Sequence, residues 1–411
     1  MKKIAMIVWN EFLNDARVLK EAQTLQKAGY QVRVFALHKP GVTQPRETLE
    51  DGIQVIRVSP DMVSLWPTRK QAPQDAAAKA LPQKGSRSSA PVLMLRACGR
   101  VWAHLKFFAN VVSYRPDAVH AHDVNTLPTG WLAAITSRAP LIYDAHEIST
   151  SREGYKGIRR IVGFIEKHLM PRASGVITTT EARSKFFARA YGVVRPTVLQ
   201  NRPRYLSRSN THRIRDELGL EKQWPIILYQ GGLQQGRGLH KLVHAAVLVP
   251  DAYFVFIGGG RLAQSLINLS QSLGVSDRVH FIPTVKLAEL PEYTASADIG
   301  VQPIENTCFN HFTTDSNKLF EYLIAGLPIV ATNLPEIRKV VEKHEVGLLL
   351  NGKDIQALAT ALKTLIENPD MRKIMAGNSD RAALELNWEE QENKLVELYN
   401  QLLGKNVGVR S

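Results

Sequence analysis

Hydrophobic positions along the chain gather into short continuous runs separated by longer amphipathic stretches. In the first half the runs are Lys3 to Val8, Gln31 to Leu37, Ile53 to Val58, Asp117 to Ala121, Leu141 to Asp144 and Val176 to Thr179. After Trp224 the alternation resumes with Ile226 to Tyr229, Tyr253 to Ile257, Arg278 to Ile282, Ile299 to Val301, Ile329 to Ala331 and Gly347 to Leu350. Apolar strands alternating with helical patterns predict parallel sheets covered by helices on both faces, and two such series predict two doubly wound α/β domains. The polar, basic run Asn201 to Asn210 carries no periodicity and marks the expected hinge. The expected division is a first domain over 1–205, a second over 206–387, and an amphipathic closing segment over 388–411 with Trp388, Leu395, Tyr399 and Leu402 available for burial.

Residues 60–91 break the pattern. They are rich in Pro, Ala, Gln and Ser, include Trp66, Arg69, Lys70, Lys79, Lys84 and Arg87, and read as a mobile basic loop. The helix predicted after them sets Met94, Cys98, Val101, Leu105, Phe108 and Val112 on one face, with Arg96, Arg100 and Lys106 elsewhere. Two readings stand: that stripe packs on the first sheet, or it is a basic amphipathic element that touches lipid.

Composition narrows the classes. The 411 residues, 44% apolar, suffice for a core in each domain. Cys98 and Cys308 cannot make a disulfide framework and have no partners at metal-ligand spacing, which favours a reducing cytoplasm. The run Ile4 to Trp9 behind Lys2 and Lys3 is too short for a secretion signal and reads as a buried strand. No stretch reaches the roughly 18 to 20 apolar residues of a membrane span, so membrane association is expected to be peripheral. The net charge of +14 suits an anionic lipid surface, a phosphorylated acceptor or a nucleic acid. The basic residues are scattered and no nucleic-acid motif is present, so a nucleic-acid partner is not expected.

Three segments carry the chemistry. Thr313 to Ser316 supplies N-cap candidates for a helix on which Lys318 and Glu321 share a face, and Gly326-Leu327-Pro328 ends that helix before a buried strand. Such a helix start lies at the carboxyl edge of a sheet, where its N–H groups favour a phosphate; the plainer alternative is a surface ion pair. The strand Ile226 to Tyr229 runs into Gly231-Gly232-Leu233-Gln234-Gln235-Gly236-Arg237-Gly238, whose glycines permit close approach to an anion and whose Arg237 can clamp a diphosphate. Glycine is also used in such turns for geometry alone. Between the two lies Phe254 to Ile257 followed by Gly258-Gly259-Gly260 and Arg261.

In order and spacing these segments resemble the carboxyl-terminal half of the family 4 retaining glycosyltransferases. Asn14 to Val18 with Glu21-Ala22, His120-Ala121-His122-Asp123 and Leu141 to Glu147 are similar to that family's amino-terminal half. The resemblance covers nearly the whole chain. It implies the GT-B architecture, two Rossmann-like domains facing across a cleft, with the closing helix crossing back onto the first domain.

The activity it implies is transfer of a sugar, with retention, from a nucleotide-diphosphate sugar to a hydroxyl of a glycan or lipid-linked glycan, as in polysaccharide biosynthesis at the inner face of a cell membrane. Arg237 and Lys318 are the expected stabilisers of the leaving diphosphate, and His146 the partner of the transferred sugar that the resemblance implies, although a histidine past a strand end is by itself more often structural. Gly231, Gly232, Arg261, Ser316, Asn317 and Glu321 are expected on the nucleotide, Glu321 as acceptor from a ribose diol. Arg17 either lines the acceptor side or is a solvated helix charge. Two positions depart from the family pattern: Thr313 stands where a first glutamate is usual, and Gly232 where an arginine often follows the first glycine. No Asp-x-Asp motif is present, so transfer is expected to need no metal and no cofactor. His120, His122, Asp123, Asp144 and His146 lack a characteristic metal-ligand spacing. Rival readings are an epimerase or phosphorylase on the same fold, or a basic scaffold that binds nucleic acid or membrane.

Overall fold

The computed structural model describes residues 1–60, 90–350, 352 and 354–404. The expected loop over 60–91 falls, except at its ends, outside the described residues. Two parallel sheets form where the hydrophobic runs predict them. The first comprises β1 (Lys3–Ile7), β2 (Gln31–Leu37), β3 (Arg46–Thr48), β4 (Gln54–Val58), β5 (Ala118–His122), β6 (Leu141–Ala145), β7 (Gly175–Thr178) and β8 (Thr197–Val198) in the order β3-β4-β2-β1-β5-β6-β7-β8. The short edge strand β3 pairs antiparallel with β4. It is exposed throughout, which is why no hydrophobic run announced it.

The second sheet comprises β9 (Ile226–Gln230), β10 (Tyr253–Ile257), β11 (Val279–Ile282), β12 (Ile299–Gln302), β13 (Ile329–Thr332) and β14 (Gly347–Leu350) in the order β11-β10-β9-β12-β13-β14. Leaving aside the antiparallel edge strand β3, both orders reverse direction once, between β1 and β5 and between β9 and β12. In open α/β sheets that reversal opens a crevice at the carboxyl ends of the strands. Along β9, Ile226 and Leu228 join one core while Ile227 and Tyr229 join another, so consecutive side chains pack on opposite faces. Buried on both faces, such strands read as unbroken apolar runs instead of alternating ones.

Two compact units result, 1–146 with 163–176 and 398–411, and 147–162 with 177–397. In the second unit Trp388 is buried and its backbone N–H donates to Pro203 O. In the first, Tyr399 of the helix Glu389–Leu403 is fully buried and its hydroxyl lies 2.9 Å from His120 Nδ1.

The helix Ala90–Tyr114 corrects one expectation. Ala103, Phe107, Val111 and Tyr114 are buried, whereas Met94 (71%), Val101 (60%) and Leu105 (57%) are exposed, as is Cys98. Small residues decide which stripe goes inward. A Cβ at Gly99 would stand 2.2 Å from Pro60 O, so the helix approaches over its Gly99–Ala103 side and the neighbouring apolar stripe faces outward.

Candidate active site

In the second unit β9 ends at Gln230 and the chain turns through Gly231 at φ +119°, a conformation that favours glycine. Gly231 N–H donates to Ile257 O at 2.9 Å and Leu233 N–H to Gly259 O at 2.9 Å, so the loops after β9 and β10 are laced together. A Cβ at Gly258 would lie 2.3 Å from Gly231 O, so that glycine serves the contact between the loops. Gly231 itself faces Lys318: a Cβ there would be 3.5 Å from Nζ. Gly232 is exposed on the same loop, and Arg261 is exposed where the β10 loop enters the next helix.

The helix Asn317–Ile324 starts without a side-chain cap. Ser316 holds the N-cap position at φ +44°, a strained value for a residue with a side chain, and its hydroxyl makes no cap bond. The expected capping thus holds in position and fails in chemistry. Lys318 is 8% exposed. Burial, reinforced by the charge of Arg237, lowers its pKa to about 7 against the opposing pull of Glu321. A surface ion pair is therefore the wrong description of this lysine. Its Nζ lies 5.1 Å from the centre of the Tyr229 ring. Glu321 Oε2 accepts from Gln230 Nε2 at 2.6 Å. Gly231, Arg237, Lys318 and Glu321 thus gather at the carboxyl end of β9, with Ser316 and the exposed Asn317 at the helix start. Thr313 is committed elsewhere: its Oγ1 donates to Phe309 O at 2.8 Å and accepts from Arg183 Nε at 3.2 Å.

His146 belongs to the first unit, just past β6. Arg17 donates to both oxygens of Asp144, at 2.8 and 2.9 Å, and lies 3.0 Å from Glu21; it is 3% exposed, so the solvated-charge reading of Arg17 is corrected. Burial alone would raise the Asp144 carboxyl, but Arg17 and then His146 outweigh it and hold it well below the usual range. His146 Nε2 is 3.0 Å from Asp144 Oδ2 and Nδ1 is 3.9 Å from Asp123. Burial would lower His146, yet these two carboxylates raise it to about 9, so it is an imidazolium at neutral pH. Burial and the Asp144 charge push Glu21 well above its ordinary value.

The sequence of residues 210–381 matches the model for glycosyl transferases group 1, and residues 15–202 match the glycosyl transferase 4-like domain. The chain belongs to the family 4-like glycosyltransferases. A D-inositol 3-phosphate glycosyltransferase of Corynebacterium urealyticum is 25% identical over 93% of this chain and 88% of its own length. That of Xylanimonas cellulosilytica is 26% identical over 69% of this chain and 72% of its own. The sucrose-phosphate synthase of Thermosynechococcus elongatus superposes with a TM-score of 0.74 at 19% identity, covering 98% of this chain and 100% of that one. Anabaena HepE, solved with UDP-glucose, does so with 0.72 at 18% identity over 98% and 100%. These neighbours establish the GT-B fold. Family membership decides for a glycosyltransferase over the epimerase, phosphorylase and scaffold readings.

Sequence reasoning about this glycosyltransferase missed Glu21, Gln230 and Tyr399 as neighbours of site residues. The spacing of Arg17 and Glu21 by four was a signal for the first; nothing local marks the other two. Glu21, His120, His122 and Asp144 also bring one ligand atom each within 4.8 Å of one another. Arg17 donates to both Asp144 oxygens, so a guanidinium already lies against one member of this cluster.

Proposed function

We propose that this glycosyltransferase moves a sugar from a nucleotide-diphosphate sugar to a hydroxyl of a glycan or lipid-linked glycan, with retention and without a metal ion. The observation that carries the reading is the buried Lys318 ammonium set against Gly231, beside Arg237 and an uncapped helix start. A lysine buried at such cost to its charged form is suited to an incoming anion that repays it. The UDP and UDP-glucose complexes of HepE support a donor of that class.

In the proposed step the bond between the anomeric carbon and the β-phosphate oxygen breaks, and its electron pair stays on the diphosphate. Lys318, Arg237 and the N–H groups of Asn317 and Lys318 stabilise that charge as it develops, with Ser316 at the N-cap beside them. The acceptor oxygen bonds to the anomeric carbon from the face the diphosphate leaves, and its proton passes to the departing phosphate oxygen. His146, charged at neutral pH, donates to a hydroxyl of the transferred sugar and does not serve as a base. Glu321 accepts from the ribose diol, and Gly232, Asn317 and Arg261 complete the nucleotide site.

The reading includes work on the cytoplasmic side of an anionic membrane. Among the described residues no helix is long and apolar enough to cross a membrane. The helix Ala90–Tyr114 contains no acidic residue and carries Arg100 and Lys106 beside its exposed Met94, Leu95, Val101 and Leu105, which suits peripheral contact with anionic lipid.

The test is calorimetry with UDP, GDP and ADP and their common sugar conjugates, in EDTA, on the wild type and on Glu321→Ala. Selective binding of one nucleotide that weakens in the variant is expected. Turnover should fall on the order of 100-fold in Arg237→Ala and Lys318→Ala, and the product anomer, read by NMR, should match the donor's. Failure of every nucleotide to bind, or near-normal turnover in both variants, would overturn the assignment.

A further inference from the structure

Glu321 is held at its working position by a residue from another element. Because Ile226 and Leu228 face the core that contains Leu319, Tyr322 and Leu323, Gln230 at the end of β9 points to the same side, toward the helix Asn317–Ile324. It is 1% exposed. Its backbone N–H donates to Tyr322 Oη at 3.3 Å, and that hydroxyl is 3.0 Å from Leu228 O, so strand end and helix are locked in register.

The side chain makes two contacts whose polarity is fixed by chemistry. An ionised Glu321 can only accept, so the Gln230 amide nitrogen must face it, at 2.6 Å, and the amide oxygen must face away. That oxygen lies 2.8 Å from Thr294 Oγ1, whose single proton also faces Leu290 O at 2.8 Å. Thr294 is itself 2% exposed. Thr294, its proton shared between Leu290 O and the amide oxygen, thus backs Gln230, whose amide nitrogen in turn reaches one oxygen of the half-buried Glu321 carboxylate. Among the described residues no other hydrogen bond reaches that carboxylate, which leaves Oε1 to accept from a ligand.

We infer that Gln230, anchored by Thr294, is a positioning residue that orients Glu321 toward the ribose diol of the donor. This rests on the proposed function, in which Glu321 contacts the ribose. A carboxylate that binds a diol gains most when it is already oriented, because a rotamer-rich side chain otherwise loses freedom on binding. Holding Oε2 restricts the side-chain torsions before a ligand arrives. Gln230 itself touches no ligand; its effect passes through Glu321.

The experiment compares UDP, GDP and ADP with their 2′,3′-dideoxy counterparts by calorimetry on the wild type, Gln230→Met, Thr294→Val and Glu321→Ala, with a thermal melt on each to confirm folding. Whichever nucleotide binds most tightly supplies the reporting pair. The wild type should prefer the ribonucleotide, and Glu321→Ala should lose that preference. Gln230→Met should lose about tenfold of it while keeping its affinity for the dideoxy ligand, and Thr294→Val should fall between. A purely structural role would weaken both ligands alike, and that result overturns the inference. So does an undiminished preference in Gln230→Met or, should that variant not fold, in Thr294→Val. If Glu321→Ala keeps the preference, or no nucleotide binds the wild type, the ribose reading itself fails and the inference falls with it.

Discussion

Lys318 Nζ stands against Gly231, where a methyl group would lie only 3.5 Å away, and the same burial brings the lysine's pKa down to about 7. The ligand-free site is therefore only partly charged at neutral pH, and a bound diphosphate favours the ammonium. Nucleotide affinity should be greatest below pH 7 and decline as pH rises above it, with net proton uptake on binding near pH 7 to 8. Titration calorimetry in buffers of different ionisation enthalpy reads that uptake directly. A flat affinity from pH 6 to 9 with no proton exchange would contradict it.

The same burial makes Lys318 a liability for the fold. Its folded pKa lies below the roughly 10.4 of an unfolded lysine, so between the two values the unfolded chain holds more protons and stability rises with pH. Lys318→Met removes the cost of burying the charge. The variant should melt a few degrees (~2 to 5 °C) higher than wild type at pH 6, with the gain shrinking toward pH 10, while turnover is lost. Equal melting temperatures at pH 6 would argue against the burial.

Asp144→Asn addresses the first unit. It strips a buried carboxylate from Arg17 and from His146, leaving Glu21 as the carboxyl beside the guanidinium, and should cost about 3 to 5 kcal/mol in denaturant unfolding. His146, at about 9 in the native state, contributes stability that is complete below its unfolded value of about 6.5 and lost as pH rises through 9. In the variant that pH dependence should disappear, and the His146 resonance should titrate below pH 7. An imidazole still titrating near 9 would mean that Asp123 alone sustains the charge.

Val101 and Leu105 test the outward face of the helix Ala90–Tyr114. Both are exposed, so Val101→Glu with Leu105→Glu should leave the melting temperature within about 2 °C. Cosedimentation with vesicles containing anionic lipid should drop about tenfold or more, while nucleotide binding is unchanged. Undiminished vesicle binding would assign this face another role.

Much of the architecture was legible because it is written in local periodicity. Six apolar runs in each half gave the strands of both sheets; the two missed strands, β3 and β8, are short edge strands of exposed or half-buried residues. The donor-side cluster was legible in part, since the spacing of Lys318 and Glu321 and the glycines after β9 need no long-range knowledge. Thr313 could be seen as a departure, but its engagement with Arg183 could not.

The sequence by itself determined the doubly wound class, the positions of the two strand series and the identity of the charged groups near their carboxyl ends. Only the tertiary structure decided which face of the helix Ala90–Tyr114 is buried, because two adjacent apolar stripes have the same period and the close approach at Gly99 selects between them. It also decided the protonation of Lys318 and His146, and the partners Asp144 for Arg17, Tyr399 for His120 and Gln230 for Glu321. Those pairs join residues far apart in the chain, and the charge state of a buried group is set by the desolvation and neighbouring charges that folding brings to it.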